Sequence, residues 1–259
     1  MRELNLELKS RPEFYQGLVK PVLKTDNLYQ PFEQSHALLT ISVGQEVHEG
    51  EKFLATLNLV NQSFGRCTIC VDDTLQRHTL AMGGELTSED LLDYSRKLGN
   101  QWLVRNFSAY SKLSIPYEII RWNKWLTHPG YSETYQKIKD LYEKGPSAFA
   151  VAEIFDRTSK YFLDRYLPRL GEISLAQREK AERLSLIYLF EECTALCLWA
   201  MEGYDYEVYP SHRSEAMSLI HQLLVEPIYQ AAVTSVWVKF KNRKQLKPQV
   251  LEVLHDGES

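Results

Sequence analysis

The chain has 259 residues, 44% of them apolar, and a formal net charge of −4, enough to bury a substantial core as an ordinary globular protein. The acidic balance excludes broad nonspecific binding to nucleic acid and leaves room only for a local basic face on an acidic body. The sequence shows no run of about 18 apolar residues, and residues 1–20 mix Arg, Glu and Lys instead of presenting an apolar signal core, so neither membrane insertion nor secretion is expected and the address is cytoplasmic.

Residues 36 to 42, His-Ala-Leu-Leu-Thr-Ile-Ser, form a short apolar run that stops at Ser-Val-Gly, as a buried parallel strand does when it ends in a functional loop. Helical periodicity resumes through Phe53, Leu57 and Val60, and a second strand is expected from Cys67 to Val71, closing on Asp72-Asp73-Thr74. Cys67 and Cys70 then point to opposite faces of that strand, and Cys193 and Cys197 share a helical face without further ligands nearby, so four free thiols and no metal are expected. Thr87 and Asp90 have capping-box spacing and start an amphipathic helix that reaches about Tyr110. After Pro116 a third strand is predicted over Tyr117 to Trp122, followed by helices at about Ser132 to Lys144, Ser147 to Tyr166 and Leu175 to Met201. Tyr206 to Tyr209 alternates as a strand stopped by Pro210, a helix runs from about Glu215 to Leu224, and Val233 to Phe240 forms the final strand. Strands alternating with helices predict an α/β fold with a mainly parallel sheet flanked by helices. No repeat or linker interrupts the pattern, so residues 1–259 are read as a single domain.

Ligands of open parallel sheets bind at the carboxyl ends of the strands, which is where Ser42 falls, beside Gly44. Thr40-Ile41-Ser42-Val43-Gly44 also has the shape of the G-x-S-x-G elbow with Thr in place of the first glycine. A strand-ending serine serves as a loop or cap residue more often than as a nucleophile, and position alone leaves both readings open. Tyr188 and Glu192 are four residues apart on the long helix and share a face, which suits an ammonium ligand, although the same spacing fits a core tyrosine beside a solvated acid. Tyr209-Pro210 ends the late strand at the same edge.

Taken in order, His36 to Gly44, Val71-Asp72-Asp73-Thr74, Tyr188-x-x-x-Glu192 and Tyr209-Pro210 resemble the cyclodipeptide synthases over roughly residues 34 to 240. The resemblance implies a Rossmann-like fold similar to the catalytic domain of class Ic aminoacyl-tRNA synthetases, without their ATP-binding signatures. Gln45, three residues after the serine, and Tyr209-Pro210 match the variable-residue/Tyr-Pro branch of that family, while Thr40 departs from the glycine common in the other branch.

By resemblance, Ser42 attacks the ester of a first aminoacyl-tRNA and forms an aminoacyl-serine, with Glu192 and Tyr188 holding the substrate ammonium and Tyr209 supporting proton movement. A second aminoacyl-tRNA then supplies the attacking amine to form a dipeptidyl-enzyme, and cyclisation onto the serine ester frees a diketopiperazine. The two aminoacyl-tRNAs are the expected partners, with no cofactor because the esters are already activated, and with a monomer as the working unit. Leu38, Thr40, Gly44, Gln45, Ala195 and Glu207 are expected around the first amino acid, and the Glu207 carboxylate in an otherwise apolar pocket would favour a cationic side chain. Arg96, Lys97 and Arg105 match the family's basic tRNA-binding helix, and Lys239, Lys241, Arg243, Lys244 and Lys247 form a second acid-free cluster, although either group also fits a solvated face.

Two other readings start from the same residues. A serine esterase of the α/β-hydrolase type would need a late acid and a histidine from among His212, His221 and His255. A noncatalytic tRNA-binding relative of the synthetases would need no nucleophile. His36 and His48 are expected to be structural or exposed.

Overall fold

The computed structural model describes residues 19–25, 31–84, 87–144 and 147–242. Among the described residues six strands form one sheet: β1 (Val19–Lys24), β2 (His36–Ile41), β3 (Arg66–Val71), β4 (Tyr117–Arg121), β5 (Tyr206–Tyr209) and β6 (Thr234–Asn242). Their spatial order is β1-β6-β5-β2-β3-β4. Every pairing is parallel except β1 with β6, so the sheet is mainly parallel as expected, with an antiparallel edge. Sequence reading misses β1, whose Pro21 falls on an edge strand where a missing N–H is tolerated.

The helices are α1 (Gly50–Ser63), α2 (Arg77–Met82), α3 (Ser88–Tyr110), α4 (Asn123–Leu126), α5 (Tyr131–Glu143), α6 (Ala148–Tyr166), α7 (Leu175–Met201), α8 (Glu215–Ile220) and α9 (Glu226–Tyr229). Thr87 caps α3, its hydroxyl accepting the Asp90 N–H at 3.2 Å. Ser174 and Gln177 cap α7 reciprocally, which fixes where the longest helix begins. The helix expected from Glu215 to Leu224 is α8 continued by one π turn, His221–Val225, into α9.

Strand alternation sorts the sheet into two faces. Ala37, Leu39, Ile41, Ile69, Tyr206 and Val208 pack with Phe53, Leu57, Val60 and Trp102 of α1 and α3. On the opposite face Leu38 and Cys70 join Trp122, Trp125, Phe155 and the buried stripe of α7. That layer of α5, α6, α7 and α8 completes a helix-sheet-helix sandwich. By length and composition α7 could cross a membrane, contrary to the reading that no such run exists, yet 72% of its apolar window is buried inside the protein. It is the central core helix, and its even apolarity reflects burial on several sides.

The chain order decides where a site forms. From β2 the chain moves through β3 to β4 on one side, then returns to place β5 and β6 on the other. The crevice between β2 and β5 is therefore the topological switch point, where the parting connections leave room above the carboxyl ends of the strands.

Candidate active site

Ser42 follows the last residue of β2 and Tyr209 is the last residue of β5; the register Leu39↔Val208 sets Tyr209 level with Thr40, so both residues fall at the same carboxyl edge of the sheet. Their hydroxyls are 3.1 Å apart. The Ser42 turn is closed by the Gln45 N–H donating to the Ser42 carbonyl at 3.2 Å, with Gly44 at φ +87° supplying the left-handed conformation the turn needs. His48, fully buried, places Nδ1 3.2 Å from the same carbonyl and packs edge-on against the Tyr209 ring. Burial holds His48 down at about 4, so it is neutral. The Trp102 indole in turn donates to the His48 carbonyl at 3.0 Å, which ties the serine turn to α3.

Tyr188 and Glu192 stand across the crevice on α7. Tyr188 is buried and stacked on Phe162, with ring centroids 5.0 Å apart. Burial raises its phenol well above the ordinary range, and Glu192, Tyr209 and Asp72 raise it further, so these groups face one another. Burial together with the Glu207 carboxylate pushes Glu192 up to about 8, against a smaller opposing pull from Arg213. Tyr209 is pushed up to about 12 by burial. Ala195, three residues beyond Glu192, and Leu38 and Thr40 on β2 are buried beneath this group.

Other expectations are redrawn. Glu207 lies on β5 beside Leu38, but its carboxylate is taken by Arg213, at 2.8 Å from Nε and with both side chains almost wholly buried. It is an ion pair in the pocket wall, and the lone counter-charge that suggested a cationic amino acid is already neutralised. Arg96, Lys97 and Arg105 are all exposed on α3, with Arg96 loosely paired to Asp93 at 3.6 Å and Arg105 more tightly to Glu49 at 2.7 Å. Nine residues at about 3.6 per turn set Arg105 on the opposite side of α3 from Arg96, so the three cations do not share a face. Lys239 is exposed, and Arg243, Lys244 and Lys247 of the second cluster lie outside the described residues, as does His255.

The esterase constellation is not assembled among the described residues. Among the described residues no histidine is hydrogen-bonded to Ser42 Oγ: His48 faces the carbonyl, His36 meets Thr68 at 2.8 Å, His221 meets the Ala232 carbonyl at 2.9 Å, and His212 packs on Trp237. All four cysteines are free and buried, and among the described residues no three metal-binding side chains converge.

Sequence reading also missed the charged groups that hold the crevice in shape. Glu191, next to Glu192, receives Arg77, His78 at 3.1 Å and the Trp122 indole at 2.7 Å, which joins α7 to α2 and the end of β4. Burial alone would raise Glu191, but the His78 and Arg77 contacts outweigh it and the net shift is downward. Asp73 pairs with Arg121, which also reaches Asn100 and the Arg96 carbonyl on α3. Two adjacent acids inside an apolar helix, Glu191-Glu192, were the visible signal, since a buried carboxylate demands partners.

These features define a Rossmann-like α/β protein whose switch point carries a serine hydrogen-bonded to a half-buried tyrosine, faced by a buried second tyrosine and an acid. No protein-family model and no curated protein sequence matches the chain. Solved structures do. A cyclodipeptide synthase from Fluoribacter dumoffii is 39% identical, covering 86% of this chain and 99% of that one with a TM-score of 0.79. One from Candidatus Glomeribacter gigasporarum, bound to Phe-tRNAPhe, is 17% identical over 89% of this chain and 96% of its own, TM-score 0.68. A Mycobacterium tuberculosis cyclodipeptide synthetase, described as related to type I tRNA synthetases, shares the fold at 13% identity, covering 91% and 100% with a TM-score of 0.58. The chain belongs to the cyclodipeptide synthase family.

Proposed function

We propose that this chain condenses two aminoacyl-tRNAs into a diketopiperazine by ping-pong acyl transfer through an aminoacyl-Ser42 intermediate. The observation that carries the reading is the Ser42–Tyr209 hydrogen bond at the switch point, with Tyr188 and Glu192 across the crevice. Ser42 Oγ attacks the ester carbonyl of the first substrate, and its proton passes through the Tyr209 hydroxyl to the departing ribose oxygen. A phenol held at about 12 does this as a neutral relay that takes one proton while giving another. The exchange of one ester for another is nearly balanced in energy, so ATP and metal have no role to fill.

Glu192 receives the ammonium of the first amino acid, and the approaching cation lowers the carboxyl's pKa and ionises it. Atom balance reverses one expectation drawn from the resemblance. For a dipeptide to remain on Ser42, the amine of the serine-bound amino acid must attack the second aminoacyl ester, not the other way round. The second tRNA then leaves, and the free amine of the second amino acid attacks the Ser42 ester, forming the ring's second amide and returning the serine hydroxyl.

Leu38, Thr40, Gly44, Gln45 and Ala195 would surround the first amino acid, with Glu207 contributing through its pair with Arg213. Gln45 and Tyr209-Pro210 support membership in the variable-residue/Tyr-Pro branch. The exposed Arg96 and Lys97 are offered as phosphate contacts for one tRNA, with Arg105 available if Glu49 releases it. The chain would act as one catalytic domain, monomeric and cytoplasmic. Expression in a bacterial host, with mass spectrometry of the medium, tests the reading: diketopiperazine should appear and should vanish in Ser42→Ala. Product persisting in that variant defeats the serine mechanism, and hydrolysis of a generic acyl ester without diketopiperazine would favour an esterase.

A further inference from the structure

Asp72 follows β3 as Ser42 follows β2, and the Asp72 N–H donates to the Ile41 carbonyl at 2.9 Å. Alternation from the core residues Leu38 and Cys70 carries both side chains toward the α7 face. Asp72 is only 5% exposed, and its Oδ1 has no hydrogen-bond partner. The acids around it are already engaged: Asp73 by Arg121, Glu191 by Arg77 and His78, Glu207 by Arg213. The Cys70 thiol, held by the Trp125 indole at 3.3 Å, lies close enough to Asp72 to oppose the rise of its carboxyl without neutralising it. A dry carboxyl oxygen with nothing to bind is unfavourable unless a donor arrives.

The reaction brings two α-ammonium groups into this crevice, and Glu192 accounts for the first. Resting on the cyclodipeptide synthase reading, we propose that Asp72 is a second catalytic carboxylate, which binds the α-ammonium of the second amino acid through Oδ1 and takes its proton at ring closure. The step balances. The ammonium N–H proton moves to Asp72, the freed amine forms the C–N bond to the serine-bound carbonyl, the C–O bond to Ser42 breaks, and the serine oxygen regains a proton through Tyr209. The groups facing Asp72 are Cys70 on its own strand, Asp73, Glu192 on α7, Glu207 and Tyr209 on β5, and Tyr188 on α7. Burial raises the Asp72 carboxyl well above its ordinary range, Glu192, Asp73 and Glu207 add to the rise, and Cys70 opposes it, which makes it a stronger proton acceptor once the ammonium has ionised it.

The test follows each covalent intermediate in the purified full chain, using total bacterial tRNA charged with 14C-labelled amino acids and rapid quenching. Asp72→Asn should load Ser42 to the wild-type level, accumulate label as the dipeptidyl-enzyme, and release diketopiperazine about 10²-fold more slowly. The deficit should shrink as pH rises, because solvent then supplies the free amine. Asp72→Leu, similar in size and apolar, should arrest at the same intermediate. Wild-type product rates with an unchanged pH profile in Asp72→Asn overturn the proposal, as does loss of Ser42 loading in a variant whose circular dichroism is native. If neither variant folds, Asp72 is structural and the proposal fails. Absence of labelled Ser42 in the wild type would instead sink the cyclodipeptide synthase mechanism itself.

Discussion

Ser42 and Tyr209 lie 167 positions apart in sequence and 3.1 Å apart in space, each at the carboxyl end of its own parallel strand. The contact exists because β5 returns to the near side of β2 after the chain has built β3 and β4 on the far side. Removing only the phenol oxygen therefore isolates the contact. Tyr209→Phe should retain the fold, since one neutral hydrogen bond is worth about 1 kcal/mol. Single-turnover loading of Ser42 should slow about 10²-fold through loss of the proton relay. Loading at the wild-type rate would show that Tyr209 shapes the crevice without moving protons.

Every described strand except β1, and the long helices, were legible because local signals agree with the fold. Pro210 stops β5, Thr87 starts α3, and Gly203 follows α7 closely enough that its bounds come out at Leu175–Met201. The four residues proposed to act on substrate were named from the order of the family's motifs, because strand-end and i,i+4 positions alone left a structural role open for each. Their supports were not. Arg77 and Glu191 are 114 positions apart, Asp73 and Arg121 are 48 apart, and no periodicity links such partners. The same blindness misjudged Glu207, whose neutralising Arg213 comes from the loop after Pro210. Arg105 was grouped with Arg96 and Lys97 by resemblance to the family's basic helix, although nine residues along α3 place it opposite Arg96 and it is paired with Glu49.

Glu192 makes stability depend on pH in a defined direction. Its folded pKa of about 8 lies above the ordinary 4.5, so the folded state prefers the protonated acid. The stability this contributes is fully present below about pH 4.5 and is lost as pH rises through 8. Asp72 adds the same sign of slope. In Glu192→Gln the fall in melting temperature between pH 5 and pH 8.5 (chosen to bracket about 4.5 to 8) should be visibly smaller than in the wild type. Parallel curves for the two proteins would place Glu192 in solvent.

At Gly99, α3 packs against Asp73, which follows β3, and Arg121, the last residue of β4. A Cβ at that position would lie 2.4 Å from an Asp73 carboxyl oxygen and 2.7 Å from an Arg121 nitrogen, inside the ion pair that ties α3 to the sheet. Neither partner can retreat easily, because Asp73 is fully buried and Arg121 is also bound to Asn100 and the Arg96 carbonyl. Gly99→Ala should cost about 1–3 kcal/mol in urea unfolding, despite alanine's better helix propensity. A gain in stability would mean that α3 is not held by this pair.

Glu207 and Arg213 must be tested together. Glu207→Leu leaves a buried guanidinium with the Val233 carbonyl as its remaining acceptor, and Arg213→Met leaves a buried carboxylate beside Glu192. Each single variant should lose about 3–5 kcal/mol, because an uncompensated buried charge costs far more than the net worth of the pair. The double variant Glu207→Leu/Arg213→Met should recover most of that loss. Only in that stable background does the product spectrum speak to selectivity. If the pair shapes a polar wall for the first amino acid, mass spectrometry of the double variant should show a shift toward diketopiperazines with an apolar first residue. An unchanged spectrum would confine the pair to holding β5 and the loop after Pro210 in place, and would move the choice of amino acid to Leu38, Thr40 and Ala195.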